Sequence, residues 1–390
     1  MLTNNYLVTL KPITPYFFGG ENTFGEGQEA EFFVRSNYLP QQTTLLGFLR
    51  YELLQQNNLL GTDPGEKKWS DLIGPKSFQS INGTFTSNFG AIKKISPVFI
   101  SNKTESYICQ SFDWGMCEAE DSKDKERSIL APLEYGFSPL IGNIITNNFK
   151  NRIPTFTANG KPFKQKNGIQ TLWVRADGGS MRQWDFEDDE TFEKGRGFDN
   201  GLFISQEQVG NEKKAKRTPK DTGDFYKIVS FRLANDFAFS FFAELDLPDD
   251  KKIRDRIVTM GGERSVFQMH VEQTQERFDT LFTANTFRSK RKDSRKAVVL
   301  TSDTFCKAEV LNYCDFAITD TVPFRNITTA QVHNGNYIRI KGGALSKTNQ
   351  LLYLLKRGSI FYADDLEKIK QAFTDPAFQT IGYNHFIELK

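Results

Sequence analysis

Residues 10–50 constrain this chain more than any other stretch. A short apolar strand runs through LKPITPYFF into Gly19-Gly20 and ENTFG, and a second loop, NYLPQQTT, opens the run LLGFLRYELL. Leu45, Leu46, Phe48, Leu49, Leu53 and Leu54 recur at helical spacing, which predicts a helix over 43–57. Pro40 just upstream and Thr43 or Thr44 as N-cap fit its start. Strand, Gly-rich loop, polar rim and helix together leave backbone N–H groups where an anion or a phosphate can sit. Phe18, Gly19, Gly20, Gln41, Gln42, Thr43 and Thr44 form that rim, and Arg50 follows about one and a half turns along the helix. An ordinary amphipathic helix after a loop has the same spacing.

The remaining chain reads as α+β. Residues 5–13 are the first predicted strand. From about 60 to 168, Gly, Asn, Ser and Pro interrupt short strands such as 91–100, and 118–127 is an exposed charged stretch. Residues 169–176 (IQTLWVRA) are a clearer strand. Residues 177–225 are charged, Gly-rich and weakly periodic around a short apolar piece at 201–205, as a hairpin projecting from the body would be. Residues 225–247 predict two strands turning at Asn235-Asp236. A helix follows over 249–260, closed by Gly261-Gly262, and then an alternating strand over 265–273. After 275 the pattern restarts, with strands at 296–301, 336–341, 359–362 and 378–389 and helices at 302–313 and 364–373. Strand, helix, insertion-bearing hairpin, helix, strand is compatible with a ferredoxin-like unit.

A chain of 390 residues can hold two domains, each with its own core. No apolar run approaches about 18 residues, so no membrane span is expected, and the N-terminus lacks a secretory pattern. The cytoplasm is the expected location. Net charge is only +2, but its distribution is uneven. Residues 288–296 hold six basic residues and 213–220 hold five, whereas six acids fall between Asp185 and Glu193. Such runs are also ordinary solvated loops. Cys109 and Cys117, like Cys306 and Cys314, are spaced too widely for a structural zinc site, so no metal is expected. Most of the 36 Phe residues belong to cores, and a few exposed ones can stack on bases.

No catalytic constellation is visible. His270, His333 and His385 are the only histidines, and no partner base or Lys assembles around them in sequence. There is no HD dipeptide and no GGDD. Asp249-Asp250 and Asp364-Asp365 read as acids at helix N-termini. GGALSKTN at 342–349 lacks P-loop spacing, so no nucleotide cofactor is implied. Binding is the better reading. Gly-rich loops let backbone approach phosphates, and Gln, Asn and Thr read base edges or 2′-hydroxyls. Gly19-Gly20, Gln41–Thr44, Arg50 and Gly261-Gly262-Glu263-Arg264 are the strongest candidates.

Four segments carry a family resemblance by their order. The first is the strand, Gly loop, Pro and Thr-Thr-Leu-Leu-Gly-Phe-Leu-Arg pattern; KGRGFDNGLF begins at Lys194 and MGGERS at Met260; RGSIFY begins at Arg357 and is followed by Ile381-Gly-Tyr-Asn. Together they resemble the RAMP proteins of type III CRISPR effectors, and within them subunit three of the type III-B (Cmr) complex. The resemblance implies two tandem ferredoxin-like (RRM-like) domains, 1–275 and 276–390. The first would carry insertions at about 60–168 and a thumb-like hairpin at about 177–225. It also implies a non-catalytic subunit that binds and caps the 5′ tag of crRNA and links the large cyclase/nuclease subunit to the backbone RAMP subunits. It places the loop before the first helix and the Gly261–Arg264 loop together at the tag, with Gln41 and Gln42 checking bases. It makes Phe198 or Phe203 a wedge between bases and sets Lys194 and Arg196 on phosphate. RNA-cutting relatives place an acid/base His in the N-terminal unit, where this chain has none before His270. The chain departs from the family at Gly19-Gly-Glu-Asn, at Leu39-Pro-Gln-Gln and in the single Gly of Ile381-Gly-Tyr-Asn. The equivalent type III-A (Csm) subunit, a guide-processing endoribonuclease and a scaffold without RNA are the other readings.

Overall fold

The computed structural model describes residues 4–20, 33–60, 67–75, 77–79, 83–118, 128–132, 134–139, 152–158, 161–162, 172–181, 201–211, 225–234, 236–263, 265–288, 295–328, 330–333, 336–339, 346–347 and 351–389. Its architecture is mixed α+β. The strand Asn4–Pro12 lies within a nine-stranded sheet. It pairs antiparallel with Ala238–Leu245 on one side, Val8 facing Phe241, and with Val266–Gln273 on the other, Val8 facing Val271. Beyond Ala238–Leu245 come Phe99–Ser101, Ser106–Cys109, Trp173–Arg175 and Ser180–Met181. Arg256–Thr259 pairs with Val266–Gln273 at the opposite edge.

Alternation decides what covers each face. Val8, Leu10, Phe239, Phe241, Phe267 and Met269 share a core with Leu45, Leu46, Leu49 and Leu53 of the helix Gln42–Gln56. On the other face, Leu7, Phe99 and Phe242 pack with Phe278, Phe282, Ala297, Val299, Ile360, Tyr362 and Leu389. The last five belong to a second, four-stranded antiparallel sheet of Phe316–Ile318, Ile360–Tyr362, Ala297–Leu300 and Phe386–Leu389. Ala297–Leu300 is buried at every position because its two faces serve two cores. Val298 and Leu300 turn toward Val310, Ile369 and Phe373, from the 3-10 turn Ala308–Tyr313 and the helix Glu367–Phe373. The layers therefore run helix, large sheet, small sheet, helices. In the small sheet the spatial order is the last strand, the first, the third and the second, and within the large sheet the four strands Val266–Gln273, Asn4–Pro12, Ala238–Leu245 and Phe99–Ser101 lie side by side in that same relative order.

Several expectations are corrected. The helix starts at Gln42, and its N-cap is Gln41 in extended conformation, without a side-chain cap from Thr43 or Thr44. No helix forms over 249–260. That stretch is a loop followed by the strand Arg256–Thr259, so Gly261-Gly262 lies in a strand-to-strand turn and Asp249-Asp250 caps nothing. Over 302–313 only the 3-10 turn forms, because Thr304 is tied to Leu355 backbone to backbone. The stretch 378–389 divides at 381–385 between a short helix, Pro376–Thr380, capped by Asp375, and the strand Phe386–Leu389. Phe203–Asn211 pairs along its length with Phe225–Leu233, whereas most of the hairpin expected over 177–225 falls on residues that are not described. Residues 182–200 and 212–224 lie outside the described residues.

Candidate functional site

The two Gly-rich loops meet. Gly262 N–H donates to Phe17 O (2.8 Å), and Phe17 N–H donates to Ser265 Oγ (3.0 Å). Gly261 has φ +83°, and a Cβ there would lie 2.6 Å from Phe17 O, so close backbone approach requires glycine. Phe18 N–H donates to Ser36 Oγ, and Asn37 N–H donates to Phe18 O, both at 2.8 Å. These bonds draw residues 17–20, 36–37 and 261–263 into one ridge. Gly19, Gly261 and Glu263 are exposed on it and Gly20 is half-buried. The Phe18 side chain is not available to a ligand, since it stacks on Phe267 in the core.

Gln42 does not read a base. It is fully buried, and its Nε2 donates to Ser96 O and to Ile381 O, each at 2.8 Å, while Oε1 accepts from Val98 N (3.2 Å). Gln41, Thr43 and Thr44 remain half-buried at the helix start. Arg50 packs its guanidinium over the Phe89 ring at 5.1 Å, and burial lowers its pKa to about 10. Phe203 is no wedge. It is fully buried, stacked on Tyr38 at 4.5 Å and packed against Trp173. Lys194, Arg196, Phe198 and Arg264 lie outside the described residues.

Behind the 36–41 loop the structure opens a cleft of about 410 Å³ that sequence reasoning did not locate. One wall is the loop itself, with Tyr38 and Pro40. The other is built by Trp173, Phe324, Lys356, Arg357 and Tyr383. Arg357 is held by Asp303, which accepts from its Nη2 (2.9 Å), its Nε (3.2 Å) and its backbone N–H (3.0 Å). Burial alone would raise the Asp303 pKa, but Arg357 outweighs it and holds the carboxyl below its ordinary value. Burial pushes the lining thiol of Cys109 up to about 11, so it stays neutral. Trp173 Nε1 and Arg357 Nη1 are buried with no hydrogen-bond partner. Unmet buried donors are costly and uncommon, and a ligand acceptor would satisfy them. Arg35, Lys356 and Arg357 line the cleft against Asp303 alone among lining carboxylates. Lys356 is paired with Asp320 (3.1 Å) and Arg357 with Asp303, so it is the unmet donors and the aromatic walls that suit a planar, acceptor-rich group about the size of one nucleotide. The sequence signal was Arg357-Gly358-Ser359, where Gly358 has φ +91° and a Cβ would strike Gln110 O.

His270 and His385 form no shared site. The exposed His270 side chain, on the strand Val266–Gln273, has Nδ1 2.5 Å from Asp255, and the His385 side chain is largely buried just before the last strand, Phe386–Leu389. Among the described residues no cluster of His, Cys, Asp and Glu could hold a metal, and no helix is long and apolar enough to cross a membrane.

The chain is an α+β protein with two layered sheets and a donor-rich cleft between the loop before its first helix and its C-terminal part. The chain belongs to the CRISPR-associated protein (Cas_Cmr3) family, whose model matches residues 8–390. The resemblance to the RAMP subunit three of the Cmr effector, read from four short segments, is thereby borne out. No curated protein matches the chain. Among solved structures it is similar to a chain of a type III-B Cmr-beta complex bound to cognate target RNA, with 15% identity, 98% of this chain and 96% of that chain covered, and a TM-score of 0.49. A second such complex, with target RNA and AMPPnP, gives 15% identity, the same coverage and 0.48. A chain of a Csm3–Csm4 subcomplex of a type III-A interference complex gives 11% identity, coverage of 92% and 93%, and 0.34.

Proposed function

We propose that this chain is a non-catalytic subunit of a type III-B CRISPR effector that holds the 5′ tag of the crRNA. On this reading it also links the large cyclase subunit to the backbone RAMP subunits. The observation that carries the RNA reading is the cleft, with its aromatic walls and the two buried donors, Trp173 Nε1 and Arg357 Nη1, that lack acceptors. It lies directly behind the 36–41 loop, and the joined Gly19–Gly20 and Gly261–Gly262 ridge offers exposed backbone to phosphates beside it. Gln41, Thr43, Thr44, Lys356 and Arg35 supply the polar contacts, and a tag base enters the cleft. Two tandem ferredoxin-like units, 1–275 and 276–390, fit the strand order repeated in the two sheets. In the first unit the edge strand Arg256–Thr259 stands where a second helix would be.

The test is purification of the protein from its native host, with sequencing of the RNA and identification of the subunits that accompany it. The expected result is short RNAs sharing one 5′ end. Uncleaved repeat precursors would support a processing endoribonuclease instead, and absence of RNA would support a scaffold. Accompanying type III-A subunits would move the chain to the Csm reading.

A further inference from the structure

The segment Ile381-Gly-Tyr-Asn gives Tyr383 to the cleft wall, and tag binding leaves its other three residues unexplained. Gly382 and Asn384 are buried, so the segment does not clamp RNA from the surface. Instead it meets Gln42. The Gln42 amide donates to Ile381 O and to Ser96 O, and accepts from Val98 N. Gly382 has φ +89°, and a Cβ there would overlap Gln42 Nε2 and lie 2.5 Å from Ser96 O. Ser96 is fixed in turn, because its Oγ accepts from Phe242 N in the large sheet (2.8 Å). On the far side Asn384 binds Phe305 O and Phe373 O and accepts from Phe305 N. One buried amide therefore ties the large sheet to the C-terminal part. A fully satisfied buried polar network fixes one arrangement of the groups around it.

Its position matters for the cleft. Gln42 directly follows the 36–41 loop, which forms one wall, and Tyr383, in the other wall, directly follows Gly382. We infer that Gln42 is a positioning residue, whose buried amide sets the spacing of the two cleft walls and so the grip on the RNA end, without touching RNA. This rests on the proposed tag-holding reading.

The experiment measures affinity of the full-length protein for its co-purified RNA as a function of salt, for wild type, Gln42→Met and Gln42→Glu. Gln42→Met keeps the volume and loses all three bonds. It is expected to weaken binding about tenfold or more while the salt slope stays that of wild type, because no phosphate contact is removed. In Gln42→Glu an ionised carboxylate would face two carbonyl oxygens, so its affinity is expected to fall as pH rises from about 5 to 8, where wild type is flat. That profile is read within one variant that retains a donor when protonated, so it holds even if Gln42→Met does not fold. Wild-type affinity in folded Gln42→Met, or a flat profile in Gln42→Glu, overturns the inference. Wild-type protein that binds no RNA overturns the tag-holding reading itself.

Discussion

His385 illustrates what one residue contributes. Its side chain is 11% exposed, with Nε2 3.2 Å from Gln379 O, Nδ1 4.0 Å from Asp279, and Lys94 and the Phe278 ring alongside. Burial first, and then the Lys94 charge, lower its pKa to about 4. An unfolded His titrates near 6.5, so the folded state resists a proton that the unfolded chain accepts. This contribution is complete above about pH 6.5 and is lost as pH falls toward about 4, by roughly 3 kcal/mol at most. Urea denaturation at a series of pH values should show that decline in wild type, and His385→Gln should remove most of it. An unchanged decline in the variant would assign it to other groups. Residue types at the site were legible in the sequence, but their burial was not. Gln42 and Phe203 look like ligands for RNA until the core closes over them.

At the scale of elements, periodic segments were readable and short ones were not. The strand Asn4–Pro12 and the helix Gln42–Gln56 fall within a residue of expectation because a long apolar pattern specifies each. The stretch 249–260 misled because Ile253, Ile257 and Met260 share helical spacing. In the fold Val258 and Met260 are buried while Ile257 is exposed, a two-residue period imposed by pairing with Val266–Gln273. That pairing creates the turn at Gly261, which allows the two loops to meet. Gly261→Val adds a branched side chain at φ +83° against Phe17 O and the Phe18 ring. It should separate the loops, destabilising the protein by about 2 kcal/mol or more and weakening RNA retention. Filter binding together with thermal denaturation checks both. Unchanged RNA retention would remove the Gly ridge from the interface.

At the scale of the whole molecule, the α+β class was legible in the sequence, but not how the N-terminal and C-terminal parts share a core. Phe324, Leu354, Phe378, Ile381 and Tyr383 pack into the same cluster as Val8 and Leu45, so residues more than three hundred positions apart close one interior. The cleft arises from that closure. Its walls come from residues 35–41, 109, 173, 303, 321–324, 354, 356–357 and 383, a set that no local pattern could gather. The most direct test of the central claim is photo-crosslinking of the native ribonucleoprotein, with crosslinked peptides mapped by mass spectrometry. The account predicts that the 5′-terminal nucleotides of the RNA crosslink to residues 35–41 and 354–357, with Trp173 and Tyr383 nearby. Crosslinks of the 5′ end confined to other surfaces would contradict it.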